Sequence, residues 1–136
     1  MKNLFIAIGT LLAVMIVHAD VVDIYLENSK DPFLKCAKEN GFTEQNMRDV
    51  FDKDAKGGLD GASCLRACTL KSMNLMKDSK LNLEKINDFL KTAHSEHPEM
   101  VSTGQKAAAV CAEKVKTIAD ECKLAYSFVD CFLDEH

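Results

Sequence analysis

The chain has 136 residues, with 17 Lys+Arg against 21 Asp+Glu and a formal net charge of −4. Its mild acidity, with lysines scattered among carboxylates, argues against nucleic acid and anionic membrane surfaces as partners, since both are held by clustered Lys and Arg. The length suits a single domain, and no histidine sits in a nucleophile motif with Ser or Cys, so an enzyme is not expected.

Lys2, the apolar run Leu4 to Val17 and the small-x-small pattern Val17-His18-Ala19 read as a secretory signal peptide over residues 1–19. The run is shorter than the roughly 20 residues of a membrane-spanning helix. Asp20, Asp23 and Glu27 follow it, so no stable membrane anchoring is expected. Cleavage after Ala19 removes Lys2 and no acidic residue. It leaves 117 residues, 20–136, with net charge −5 and all six cysteines. No Asn-x-Ser/Thr sequon occurs.

Two prolines and six glycines lie between apolar-periodic segments, as in a helical protein; the expected fold is all-α, a compact bundle of about six helices. A first segment spans Asp20 to Ser29. Asp31-Pro32 is a cap and first-turn pair for a second, ending at Asn40-Gly41. Thr43 is the candidate cap of a short helix with Met47, Val50 and Phe51 on one stripe. Asp52 to Ala62 reads as a charged, Gly-rich loop, and Ser63 as the cap of a long helix from Cys64 to about Lys77. Another helix runs from about Leu83 to Thr92, followed by a loop from His94 to Gly104. The last two helices cover Gln105 to Thr117 and Glu121 to about Leu133, with Asp120 as a cap.

Six cysteines in a secreted chain predict three disulfides, with fifteen possible pairings. If the last two helices form an antiparallel hairpin turning near residue 121, Cys111 and Cys131 face each other. Cys122 and Cys131 lie about half a revolution out of phase on one helix, so they bridge to different elements. Cys64 and Cys68 share a face one turn apart, which makes their helix a hub.

The intervals between cysteines are 27, 3, 42, 10 and 8 residues, from Cys36 through Cys64, Cys68, Cys111 and Cys122 to Cys131. This pattern resembles the six-cysteine signature of insect odorant-binding proteins of the pheromone-binding superfamily. The resemblance spans essentially the whole mature chain. It implies interlocked pairs Cys36 to Cys68, Cys64 to Cys122 and Cys111 to Cys131, closed around a hydrophobic cavity. It also implies a secreted, extracellular carrier that moves a small hydrophobic odorant or pheromone through aqueous fluid, without cofactor or metal. An olfactory receptor or a second copy of the chain stands as a further partner.

Carried over residue by residue, the resemblance makes Phe132 and Leu133, just after the sixth cysteine, the first cavity candidates, then Phe128, Met73 and Ile86. Val129, Met76, Leu70, Leu75, Leu83 and Phe89 complete the apolar set, although each suits an ordinary packing face as well. Tyr25 and Tyr126 are the candidate polar handles for an alcohol, aldehyde or ester. His94, His97 and His136 are the pH-switch candidates, since imidazole titrates near pH 6.5. His94-Ser-Glu-His97 with Glu99 reads as a solvated loop in preference to a metal site. Only Phe-Leu-Asp-Glu-His follows Cys131, too short for the extra C-terminal helix that some members of the family use to displace ligand in acid. Alternative functions are carriage of another hydrophobic ligand in venom, saliva, haemolymph or seminal fluid, and a stapled helical toxin. The toxin needs a cationic amphipathic face that this composition lacks.

Overall fold

The computed structural model describes residues 21–136, so the signal peptide expected at 1–19 lies outside the described residues. Among them are seven helices and one two-stranded hairpin. Helix α1 covers residues 21–28, and α2 (Lys30–Glu39), α3 (Met47–Gly57) and α4 (Leu65–Ser72) follow. The antiparallel strands β1 (Met76–Lys77) and β2 (Lys80–Leu81) come next, then α5 (Leu83–Ala93), α6 (Pro98–Val115) and α7 (Glu121–Glu135). No helix among the described residues is long and apolar enough to cross a membrane.

Local chemistry accounts for most boundaries. α1 runs into α2 through Ser29, so Asp31 lies in the first turn of α2 and is not its cap. Helix α2 closes on Gly41, whose φ of 81° belongs to the left-handed region. There the N–H of Phe42 donates to Ala37 and that of Gly41 to Lys38, satisfying two terminal carbonyls in a Schellman motif. Asn46, and not Thr43, caps α3, its side chain accepting from the N–H groups of Arg48 and Asp49. Asn82 and Asp120 cap α5 and α7 in the same way.

Three expected boundaries are corrected. The helix beginning near Cys64 ends at Ser72 and does not reach Lys77. Asn74, with φ 62°, takes the left-handed C-terminal position, and Leu75 N–H donates to the Leu70 carbonyl at 2.8 Å, a second Schellman closure. The chain then makes a hairpin across Asp78 and Ser79, both at positive φ, as a two-residue turn requires. α3 continues to Gly57 through half of the segment expected as a loop, because Asp54 is anchored by a buried ion pair with Arg66. α6 starts at Pro98, inside the expected loop His94 to Gly104. Proline needs no acceptor for a missing N–H and has a helical φ at the first position.

The helices pack in sequence around the molecule: α3 on α2, α2 on α4, α4 on α7, α7 on α6 and α6 on α5. Bridges join Cys36 to Cys68, Cys64 to Cys122 and Cys111 to Cys131, so α4 is tied to both α2 and α7. The closed loops have sequence separations of 32, 58 and 20, which the chain-entropy model values at about 3 to 4 kcal/mol apiece. Such cross-links offset an incompletely filled interior, a costly feature in a domain of this size. The core is accordingly split. One cluster, from Val22, Leu26, Phe33, Val50 and Leu65, lies under α1 to α4. The other, including Met76, Leu90, Leu124, Phe128 and Phe132, lies among α4 to α7. Leu133 packs against both.

Candidate functional site

A cavity of about 120 Å³ lies between the two clusters. Of the candidates named from the sequence, Phe132, Leu133, Phe128, Val129, Met73, Ile86, Leu70, Leu75, Phe89 and Tyr25 border it. Three others do not. Met76 is 1 % exposed and packs in the second cluster without bordering the cavity. Leu83 shares the stripe of Ile86 and Leu90 at helical spacing, but as the first residue of α5 it is 36 % exposed and does not border the cavity. The Tyr126 hydroxyl donates to the Ala55 carbonyl at 3.0 Å, which pins α7 to α3. That correction removes Tyr126 as a polar handle.

Apart from Tyr25, sequence reading missed the wall supplied by α1 and α2. Val22, Leu26, Ser29 and Phe33 recur at spacings of four, three and four, so one stripe continues across the junction between the two helices. That periodicity was the available signal. Phe51, Thr69, Leu90 and Arg66 also border the cavity. Arg66 had no sequence signal, because its burial depends on a partner twelve residues away. Its Nε donates to Asp54 Oδ2 at 2.9 Å and Nη1 to the Tyr126 carbonyl at 3.1 Å. The guanidinium carbon lies 4.0 Å from the Tyr126 ring centroid and 5.1 Å from that of Phe51, in cation–π geometry.

At one end of the cavity α1, α5 and α7 meet through side chains. The Tyr25 hydroxyl lies 2.6 Å from Nε2 of both His94 and His136. A phenol has one proton, so it donates to one imidazole and accepts from the other. Nδ1 of His94 is buried without a partner, and an orphaned lone pair is commoner in protein interiors than an orphaned N–H. The favoured arrangement is therefore His94 Nε2–H donating to Tyr25 Oη, with the phenol proton donated to His136 Nε2. Desolvation pushes the Tyr25 phenol far above its ordinary range, so it keeps its proton. Burial also holds both imidazoles below their ordinary pKa. At His94 the neighbouring His136 and His97 add to that effect and Glu99 opposes it. Phe132 stacks edge-on against both the Tyr25 and His136 rings, at 5.3 and 5.2 Å between centroids.

His97 points elsewhere. It is exposed, 3.5 Å from Glu99, and the structure does not bring it to the cavity or to His94 as a joint ligand pair. Among the described residues, Cys36, Glu39 and Cys68 place potential metal-ligating atoms together. Both sulfurs are spent in a disulfide, so no thiolate remains to bind a metal.

The PBP/GOBP family profile matches residues 19–135. The chain belongs to the PBP/GOBP family. General odorant-binding protein 19d of Drosophila melanogaster is 28% identical over 102 residues, covering 74% of this chain and 67% of that protein. The structure of odorant-binding protein dmelOBP28a from Drosophila melanogaster superposes with a TM-score of 0.59 at 23% identity, over 82% of this chain and 91% of that one, a likeness of fold. In this PBP/GOBP chain the six cysteines are all bridged and no free cysteine is present among the described residues. The cavity thus sits in a scaffold held by three covalent links.

Proposed function

We propose that this chain is a non-catalytic, secreted carrier that takes up a small hydrophobic molecule of the odorant or pheromone type and moves it through aqueous fluid. The observation that carries the proposal is the apolar cavity between two core clusters, which an ordinary core of this size would fill. Family membership and the odorant-binding names of its relatives support the same reading. Three disulfides fit a product of the secretory route.

Binding comes from removing apolar ligand surface from water. At roughly 25 cal/mol per Å², a ligand burying about 250 to 300 Å² gains about 6 to 8 kcal/mol gross. After association costs, micromolar dissociation constants are expected. The cavity is comparable in volume to engineered apolar cavities of about 150 Å³ that hold benzene. Larger ligands require the flexible Met73 and the terminal Leu133 to move aside. Displacement of the fluorescent probe N-phenyl-1-naphthylamine by a panel of hydrophobic compounds tests the proposal. Saturable probe binding with micromolar displacement is expected, and failure of the probe and the panel to bind would sink it.

A further inference from the structure

Four side chains with polar atoms border the cavity, and the hydrogen bonding of each is directed into the protein. Ser29 Oγ donates to the Tyr25 carbonyl at 2.6 Å and Thr69 Oγ1 to the Leu65 carbonyl at 2.8 Å, both bonds within their own stretch of helix. Arg66 is paired with Asp54 and the Tyr126 carbonyl, while the rings of Tyr126 and Phe51 lie against its guanidinium. Tyr25 contributes its ring to the wall and gives its hydroxyl to His94 and His136, neither of which borders the cavity. The hydroxyl therefore faces out of the cavity, and the surface turned inward is carbon almost throughout.

We propose that the cavity selects hydrocarbons, aromatic or terpene-like in skeleton, over alcohols and carbonyl compounds of the same shape, because the polar atoms of its wall are turned into the protein and the surface that meets the ligand is almost wholly carbon. This selectivity rests on the carrier reading and narrows it. It also replaces the expectation that Tyr25 offers a hydroxyl to the ligand. A ligand hydroxyl or carbonyl entering this space gives up its hydrogen bonds to water and meets no partner, as on transfer from water to an alkane. A wall with a free donor or acceptor resembles octanol, where the same group loses much less.

Two isosteric pairs separate these cases on the natural chain. Ethylbenzene against benzyl alcohol replaces a methyl by a hydroxyl, and α-methylstyrene against acetophenone replaces a methylene by a carbonyl oxygen. Dissociation constants come from displacement of N-phenyl-1-naphthylamine at pH 7.5. An alkane-like wall gives a hydrocarbon preference of about a thousandfold or more in both pairs, whereas an octanol-like wall gives about a hundredfold or less. The larger ratio in both pairs is the expected result. A ratio of about a hundredfold or less in either pair would overturn the selectivity and leave the carrier standing, with the alcohol pair reporting a usable hydroxyl partner and the ketone pair a usable donor. Failure of both hydrocarbons to displace a bound probe would remove the carrier reading for ligands of this class, and the selectivity with it.

Discussion

Gly104 has no side chain at the point where the imidazole of His136 rests: a Cβ built there would lie 3.3 Å from His136 Nε2 and 3.4 Å from a Leu90 methyl. The glycine in the middle of α6 thus makes room for the last residue of the chain to reach Tyr25.

Gly104→Leu is accordingly expected to expel His136. Overpacking against the fully buried Leu90 should lower stability by about 1 to 3 kcal/mol, seen as a lower urea midpoint. With its ring in water, His136 should titrate closer to the ordinary imidazole value, read from its C2 proton by NMR. An unchanged His136 titration would show that the ring is not held against Gly104.

Acid should destabilise the fold in a window set by the histidines. Both His94 and His136 are held below the ordinary imidazole value by burial. Above about pH 6.5 the folded and unfolded chains are both neutral at these positions, and no penalty arises. As pH falls below that value the unfolded chain takes up protons that the folded chain refuses, so stability declines until the depressed folded values are reached. Protonating His94 would place a new N–H on the unpartnered Nδ1. Glu44, whose carboxyl is held low chiefly by its hydrogen bond to Lys53, acts in a lower range; its contribution is lost only as pH falls below about 4.5. Denaturant midpoints at pH 7.5 and 5.0 check this, and equal midpoints would contradict it. Probe affinity should fall over the same interval, because Phe132 and Tyr25 in the cavity wall pack on these rings.

Phe132→Ala should weaken probe binding at least tenfold and cost about 3 to 5 kcal/mol of stability, the range for removing a buried Phe ring. Three disulfides should keep the fold, so far-ultraviolet circular dichroism should remain helical. Undiminished probe binding would place the occupied site elsewhere than beside Phe132.

The ion pair of Arg66 and Asp54 is almost wholly buried, with side-chain exposures of 4% and 2%. Asp54→Ala should cost about 3 to 5 kcal/mol, since it strands the guanidinium away from water and also removes the acceptor of Ser63 Oγ. Replacing both partners, with Arg66→Met and Asp54→Leu, should recover most of that loss. Urea unfolding of the single and double variants decides the matter; a double variant no more stable than Asp54→Ala would mean that the pair is held for more than its own neutralisation.

What could be learned from the order of residues alone was whatever depends on near neighbours. Asp120 as a cap needed only the N–H of Lys123 three residues on. The all-α class followed from where proline and glycine fall, and membership of the family from the intervals between six cysteines. Even the early end of α4 was written locally, in Asn74 as a residue that accepts the left-handed conformation. Tertiary packing decided the rest. Tyr25 is 69 residues from His94 and 111 from His136, and their meeting depends on three helix axes converging at one end of the cavity. Periodicity states that a side chain faces inward, but whether it meets another side chain or an empty space depends on the distance between helices. That is why Met76 and Met73, both apolar and close in the chain, divide between core and cavity wall. The direction of the Tyr25 hydroxyl was equally beyond sequence, because it is set by two imidazoles brought from the ends of α5 and α7.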